Sequence, residues 1–174
     1  MTNKLIIKPK FTLHQKIHLI IFVGSIPIII IVEMLRINLN LLGYFTLLFF
    51  ILIYFVIFSF AFSKIGFLKL HENLYRGLFV YGKLLFKKKI DLKNRNKIAT
   101  LKFKRYRKLA FISRAKPDLS EKFNSFEINL LNEKHTERDL IIILENEIDS
   151  RKLISFLESN FTLKHENFNP NFKN

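Results

Sequence analysis

The sequence predicts a two-helix membrane hairpin followed by a small β domain that a C-terminal helix closes. Three observations predict it. Two uncharged apolar stretches lie close together near the N-terminus. Beyond residue 63 apolar and polar residues alternate, the period of a half-buried strand. Near the C-terminus the period lengthens to that of an amphipathic helix. The chain has 174 residues and a formal net charge of +15, a length that suits one domain with an appendage.

Residues 1–16 carry Lys4, Lys8, Lys10 and Lys16 and no acid, and read as a basic N-terminus. The first apolar stretch, IHLIIFVGSIPIIIIV, runs for 16 residues from Ile17 to Val32. A spanning helix needs about 20 mostly apolar residues. Met34 and Leu35 bring the stretch close to that, with Glu33 reaching toward head groups, so the span is placed at 17–35. Pro27, preceded by Gly24 and Ser25, interrupts it; spanning helices tolerate such breaks. Those three residues suit a hinge or a close helix contact. A signal peptide is the competing reading, but no small-x-small cleavage site follows and a second apolar run arrives at once.

That second run, from Ile37 to Ser63, is 27 residues long and uncharged. It is long enough to cross with tilt, and its helix is placed at 41–63. The short connection between the two makes them antiparallel. Positive charge is concentrated before residue 17 and after residue 63, while the loop holds one Arg beside one Glu. The positive-inside rule then puts both termini in the cytoplasm, at a plasma membrane. Tyr44 suits an interfacial anchor, and Tyr54, mid-span, suits packing. No ionisable group lies deep in either span, and Asn38 and Asn40 lie close to the loop, which argues against a transport path.

From residue 64 to 162 the chain reads as about six or seven short strands and one helix. GFLKL at 66–70, GLFVY at 77–81 and LLFKKKIDL at 84–92 are strand candidates, punctuated by HEN at 71–73 and by Gly82-Lys83. Ala99, Leu101 and Phe103 alternate with Thr100, Lys102 and Lys104, so Phe103 is expected in the core. Phe126, Ile128 and Leu130 alternate with Glu127 and Asn129. LIIIL at 140–144 reads as a buried strand, joined to the previous one by NEKHTER in a hairpin-sized connection. Asp149 or Ser150 is expected to cap a last helix, RKLISFLESNF, with Leu153, Ile154, Leu157 and Phe161 as its apolar stripe. The tail from about residue 163 to 174, rich in Asn, Lys and Glu, is expected to be poorly ordered.

This order of elements carries a resemblance. A membrane hairpin followed by FSKIGFLKLHENL, KKKIDLKNRNKIATLKF, NSFEINLLN, RDLIIILEN and DSRKLISFLESNF resembles small bacterial membrane proteins with a pleckstrin-homology-like (PH-like) domain. The resemblance covers nearly the whole chain and rests on hydrophobicity and spacing. It implies a curved antiparallel sheet or partly open barrel, capped by the final helix, on the cytoplasmic side of the inner membrane. One departure is the stretch from Tyr106 to Lys122, which contains KPDLSEK and leaves the middle strand pairings open.

Charge points to partners. Between Lys64 and Lys116 there are 17 Lys and Arg against Glu72 and Asp91 only; from Pro117 onward 7 basic residues face 11 acidic ones. The candidate anion-binding set is Lys87, Lys88, Lys89, Lys102, Lys104, Arg105, Arg107 and Lys108. Three readings remain open for it: a solvated, topology-setting face; contact with anionic lipid head groups; and nucleic-acid binding. The last loses ground because a tethered domain must meet its target at the membrane, although Phe103 and Tyr106 could stack on bases. Phosphoinositide binding is known for PH-like domains, but bacterial versions need not share it, and it is not carried over.

Chemistry is hard to build from these residues. With no Cys, disulfides and thiol chemistry are excluded. His14 and His18 share a helix face but have no third ligand beside them in the sequence. His71-Glu72 and His165-Glu166 lack the second His of a zincin motif and read as loop residues. No Ser sits in a nucleophile elbow, and five glycines are too few for a phosphate-cradling loop. Glu121, Glu133, Glu137, Asp139, Glu145, Glu147 and Asp149 gather at turns and read as solvated. The expectation is a non-enzymatic inner-membrane protein without a cofactor, whose domain binds lipid, an unidentified protein or a second copy of itself. The alternatives are an accessory subunit of a larger membrane complex and a membrane-tethered nucleic-acid-binding module.

Overall fold

The structure is a computed structural model that describes residues 3–108 and 120–169. The side chains of Arg107, Lys108, Ser120 and Glu121 lie outside what it describes, as do most of the KPDLSEK segment and residues 170–174. The chain forms two compact units. One contains Ile6–Leu68 and Arg76–Lys88, the other Met1–Leu5, Lys69–Tyr75 and Lys89–Asn174.

Two helices are long and apolar enough to cross a membrane, Leu13–Met34 and Leu41–Ala61. The first is built from α1 (Leu13–His18), a π-helical turn (Leu19–Val23) and α2 (Gly24–Met34). It starts four residues earlier than the apolar run predicts. The polar residues Thr12 and Gln15 form a capping box there, the Thr12 side chain accepting from the Gln15 amide. Pro27 has no N–H for the Val23 carbonyl, and the wider π turn stands directly upstream, a usual accommodation in spanning helices.

The second span, α3 (Leu41–Ala61), is capped by Asn40, whose side chain accepts from the Gly43 amide at 2.8 Å. α2 and α3 pack together. Gly24 makes their approach possible: a Cβ there would sit 3.0 Å from Tyr54 Cε2. The hinge-or-contact expectation for Gly24 therefore resolves to a close contact, with Tyr54 as its partner. In the loop Arg36 pairs with Glu33 at 2.9 Å.

Among the described residues, eight strands follow a simple order. The first sheet runs β1-β2-β3-β4 and the second β7-β6-β5-β8. β1 (Asn3–Pro9) lies in the stretch that reads as a basic N-terminus and joins the edge of the first sheet beside β2 (Lys64–Leu70). β2, β3 (Asn73–Val80) and β4 (Lys83–Ile90) are linked by two-residue turns, so they form antiparallel hairpins. His71 turns the first at φ 54°; Tyr81 and Gly82 turn the second at φ 48° and 77°. Two successive positive φ values are the mark of a type I′ hairpin turn.

In the second sheet β5 (Lys97–Lys108) pairs with β6 (Ser120–Leu131), and β6 with β7 (Arg138–Leu144), both antiparallel. β8 (Lys164–His165) adds in parallel to the start of β5, so part of the predicted tail is strand. Ile128 faces Ile142 but Asn129 faces Leu140, which leaves Ile141 as the extra residue of a bulge. The bulge breaks the period of two, and Ile141 and Ile142 are both buried while Leu140 is exposed.

α4 (Glu147–Asn160) packs against β6 and β7. Leu153 and Leu157 are fully buried, as the stripe predicts. Its cap is Asn146, whose side chain accepts from the Ile148 amide at 2.9 Å. Asp149 and Ser150 lie inside the helix, one on the acidic first turn and one buried. The C-terminus has no basic residue of its own; Lys69 Nζ donates to the Asn160 carbonyl at 2.7 Å and meets that end of the dipole.

Candidate functional site

The base of the apolar helix pair is tightly tied. Only Phe62 and Ser63 separate the end of α3 from β2. Ser63 is fully buried, and its carbonyl accepts from the Lys10 amide at 2.9 Å. The residues entering the first apolar helix and leaving the second are therefore joined by a backbone hydrogen bond. Lys10 Nζ lies 4.2 Å over the Phe60 ring and Lys16 Nζ 5.0 Å over Phe62. Lysines resting on aromatic faces at the ends of apolar helices keep their charge toward water while their stems cover apolar surface. His14 and His18 lie on this same first turn, their Nε2 atoms 3.1 Å apart. Among the described residues no group of three or more His, Cys, Asp or Glu could hold a metal ion.

The β3–β4 turn belongs to the same unit. Tyr81 Oη lies 3.4 Å from Ser59 Oγ in the last turn of α3. Around this contact Ile6, Phe58, Phe62, Phe79 and Tyr81, with Lys64, line a largely apolar cleft of about 470 Å³. Beyond the turn, β4 is exposed from Lys83 to Lys89. The sequence marks 84–92 only as a strand. It gives no sign that Leu84, Leu85 and Phe86 lack cover, because that depends on β4 being an edge.

The predicted basic set falls on two strands in different sheets. Lys87, Lys88 and Lys89 are on β4, and Lys102, Lys104, Arg105, Arg107 and Lys108 on β5. Within β5 the set divides again, since successive side chains point to opposite faces. Lys102 stands opposite Phe126 in the ladder, with its Nζ 5.5 Å from that buried ring. Arg105, on the other face, pairs with Glu127. Phe103 is 42 % exposed, contrary to its predicted place in the core. Ala99 is buried, as the alternation predicts, but so is Ile98 on the opposite face, and Lys102 shares that second face with Ile98.

Two clusters that the sequence left as solvated turns are organised. Arg95 donates to Asp139 and to Glu137, both at 2.7 Å, and joins the loop before β5 to the start of β7. Asp139 first and Glu137 second raise the Arg95 pKa above its ordinary value, so the guanidinium stays charged. The second cluster holds the segment after α4. Glu166 pairs with Lys97 at 2.8 Å, and its Oε2 lies 3.3 Å from His135 Nε2. His135 is buried, and its Nδ1 accepts from the Asn169 amide at 3.1 Å. The hydrogen bond from Lys97 is the chief cause that holds the Glu166 carboxyl below the ordinary Glu range. These contacts organise loops and present no nucleophile beside a base.

Set against protein-family models, curated proteins and solved structures, the chain matches none.

Proposed function

We propose that the chain is a non-catalytic membrane protein that holds a PH-like β domain at the cytoplasmic face of the inner membrane, where the domain meets anionic head groups or a protein partner. One observation carries this reading: only two residues connect α3 to β2, and the second of them, the buried Ser63, is tied to Lys10. A domain attached without slack to a spanning helix works at the bilayer surface. The PH-like assignment draws on the order of elements after the apolar helices, the strands β2 to β7 and then the helix α4.

Lipid is the first partner because of charge. Lys or Arg near an anionic leaflet contributes about 1 kcal/mol each. That attraction fades within a Debye length of about 10 Å at 0.1 M salt. Lys102 and Arg105 are partly committed to Phe126 and Glu127, which favours Lys88, Lys89 and Lys104 among the remaining candidates. A protein partner has its own route. β7 ends the second sheet, and the exposed Leu140 on it suits strand addition.

Lysine acylation of the full chain in nanodiscs tests the reading. Lys88, Lys89 and Lys104 should react more slowly in discs containing phosphatidylglycerol than in pure phosphatidylcholine, and high salt should abolish the difference. Equal rates in both would remove lipid as the partner. A stoichiometric protein recovered in mild detergent would then favour the accessory-subunit reading.

A further inference from the structure

We propose that the β3–β4 hairpin is a third membrane contact, with Tyr81 and the Leu84–Phe86 segment seated in the head-group layer of the leaflet that α3 leaves. This rests on the reading that the two apolar helices span a bilayer. Ser59 is two residues before the end of α3, about 3 Å of helical rise. The 3.4 Å contact with Ser59 therefore places the Tyr81 hydroxyl at the end of the span. Tyrosine is the residue type that favours this depth, its ring apolar and its hydroxyl wet. It also occupies a left-handed turn position, φ 48°, where a bulky side chain is disfavoured and Asn or Gly is usual. Local turn chemistry does not explain a tyrosine there, whereas an interfacial anchor does.

The strand beyond the turn points the same way. Leu84, Leu85 and Phe86 are 41, 51 and 66 % exposed, and Tyr81 66 %. They are consecutive, so they project from both faces of β4. A docked protein surface would cover one face; a fluid layer surrounds both. Lys83 precedes the apolar trio and Lys87, Lys88 and Lys89 follow it, an arrangement that lets the ammonium groups reach lipid phosphates while the apolar side chains lie deeper. The backbone sets the depth limit. β4 ends the first sheet, and the outward N–H and C=O groups of an edge strand cannot enter hydrocarbon unsatisfied. The segment is therefore interfacial and does not cross.

The chain contains no Trp, so one introduced Trp is an unambiguous fluorescent reporter. Full-length Phe86→Trp and, as a depth reference in α3, Phe49→Trp are reconstituted in phosphatidylcholine–phosphatidylglycerol vesicles. F86W emission should shift to the blue, be lost to lipids brominated near the head-group end of their chains, and resist iodide in the water. If F86W is quenched by iodide and untouched by brominated lipid while F49W is quenched by lipid, the hairpin contact is wrong and the spans stand. Shielding of F86W from both quenchers would mean that a protein surface, such as a second copy, covers β4, and would also overturn the proposal. If F49W escapes brominated lipid, the spanning reading fails and the hairpin contact fails with it.

Discussion

At the scale of single residues, capping shows how a sequence can offer several answers to one physical demand. Asn146, Asp149 and Ser150 are all good cap residues within five positions. The helix takes the earliest, so Ile148 joins its first turn. Asn146→Ala should cost about 1 kcal/mol, read as a lower midpoint in denaturant titration of the detergent-solubilised chain. Asn146→Asp should keep the cap, and an unchanged midpoint in the Ala variant would show that the cap lends nothing.

Glu166 carries a pH dependence whose sign follows from its partners. Lys97 lowers its folded pKa, so its contribution is complete above the ordinary Glu range and is lost as the pH falls through the lowered value. Amide protection of residues 164–169 should therefore drop in acid. Glu166→Gln should lose that protection at neutral pH and show no further acid step. Equal protection in both proteins would mean that Leu163 and the β8 pairing alone hold the segment. None of this was legible in a stretch rich in Asn, Lys and Glu. Glu166, His135 and Lys97 are far apart in sequence, and only the fold brings them together.

At the scale of elements, the two apolar helices were legible because each is a long uncharged run of contiguous residues. Their packing was legible only as a choice between hinge and contact. Gly24 against Tyr54 leaves no room for a side chain. Gly24→Leu should lower stability in detergent by about 1–3 kcal/mol through overpacking. The added variant Tyr54→Ala should recover part of that loss; additive losses would place the strain elsewhere. β6 was readable from its alternation, because its apolar positions do face the core. β5 was read only in part: Ala99 is buried as expected, but Phe103 is exposed, and Ile98 and Lys102 on the other face lie opposite Leu130 and Phe126. β7 was blurred by its bulge. β1 was missed because its seven residues acquire strand character from a neighbour more than fifty positions away.

At the scale of the whole molecule, composition announced two things well: an apolar hairpin and a basic region after it. It could not apportion the basic residues among strands. The eight candidates occupy β4 and β5 in separate sheets, a division set by long-range pairing. Equally hidden was the exposure of Leu84, Leu85 and Phe86. Their composition suits a core strand, and only the sheet order shows that nothing among the described residues covers them.

The two-residue join at Phe62 and Ser63 has a mechanical consequence if the apolar helices cross a bilayer. A long apolar helix leans over in a thin bilayer and stands straighter in a thick one. With no slack at that join, and with Lys10 fastened across it, the lean cannot be absorbed locally. The first residues of β2 must swing with the helix, which makes the hairpin a lever whose angle follows the thickness of the lipid around it.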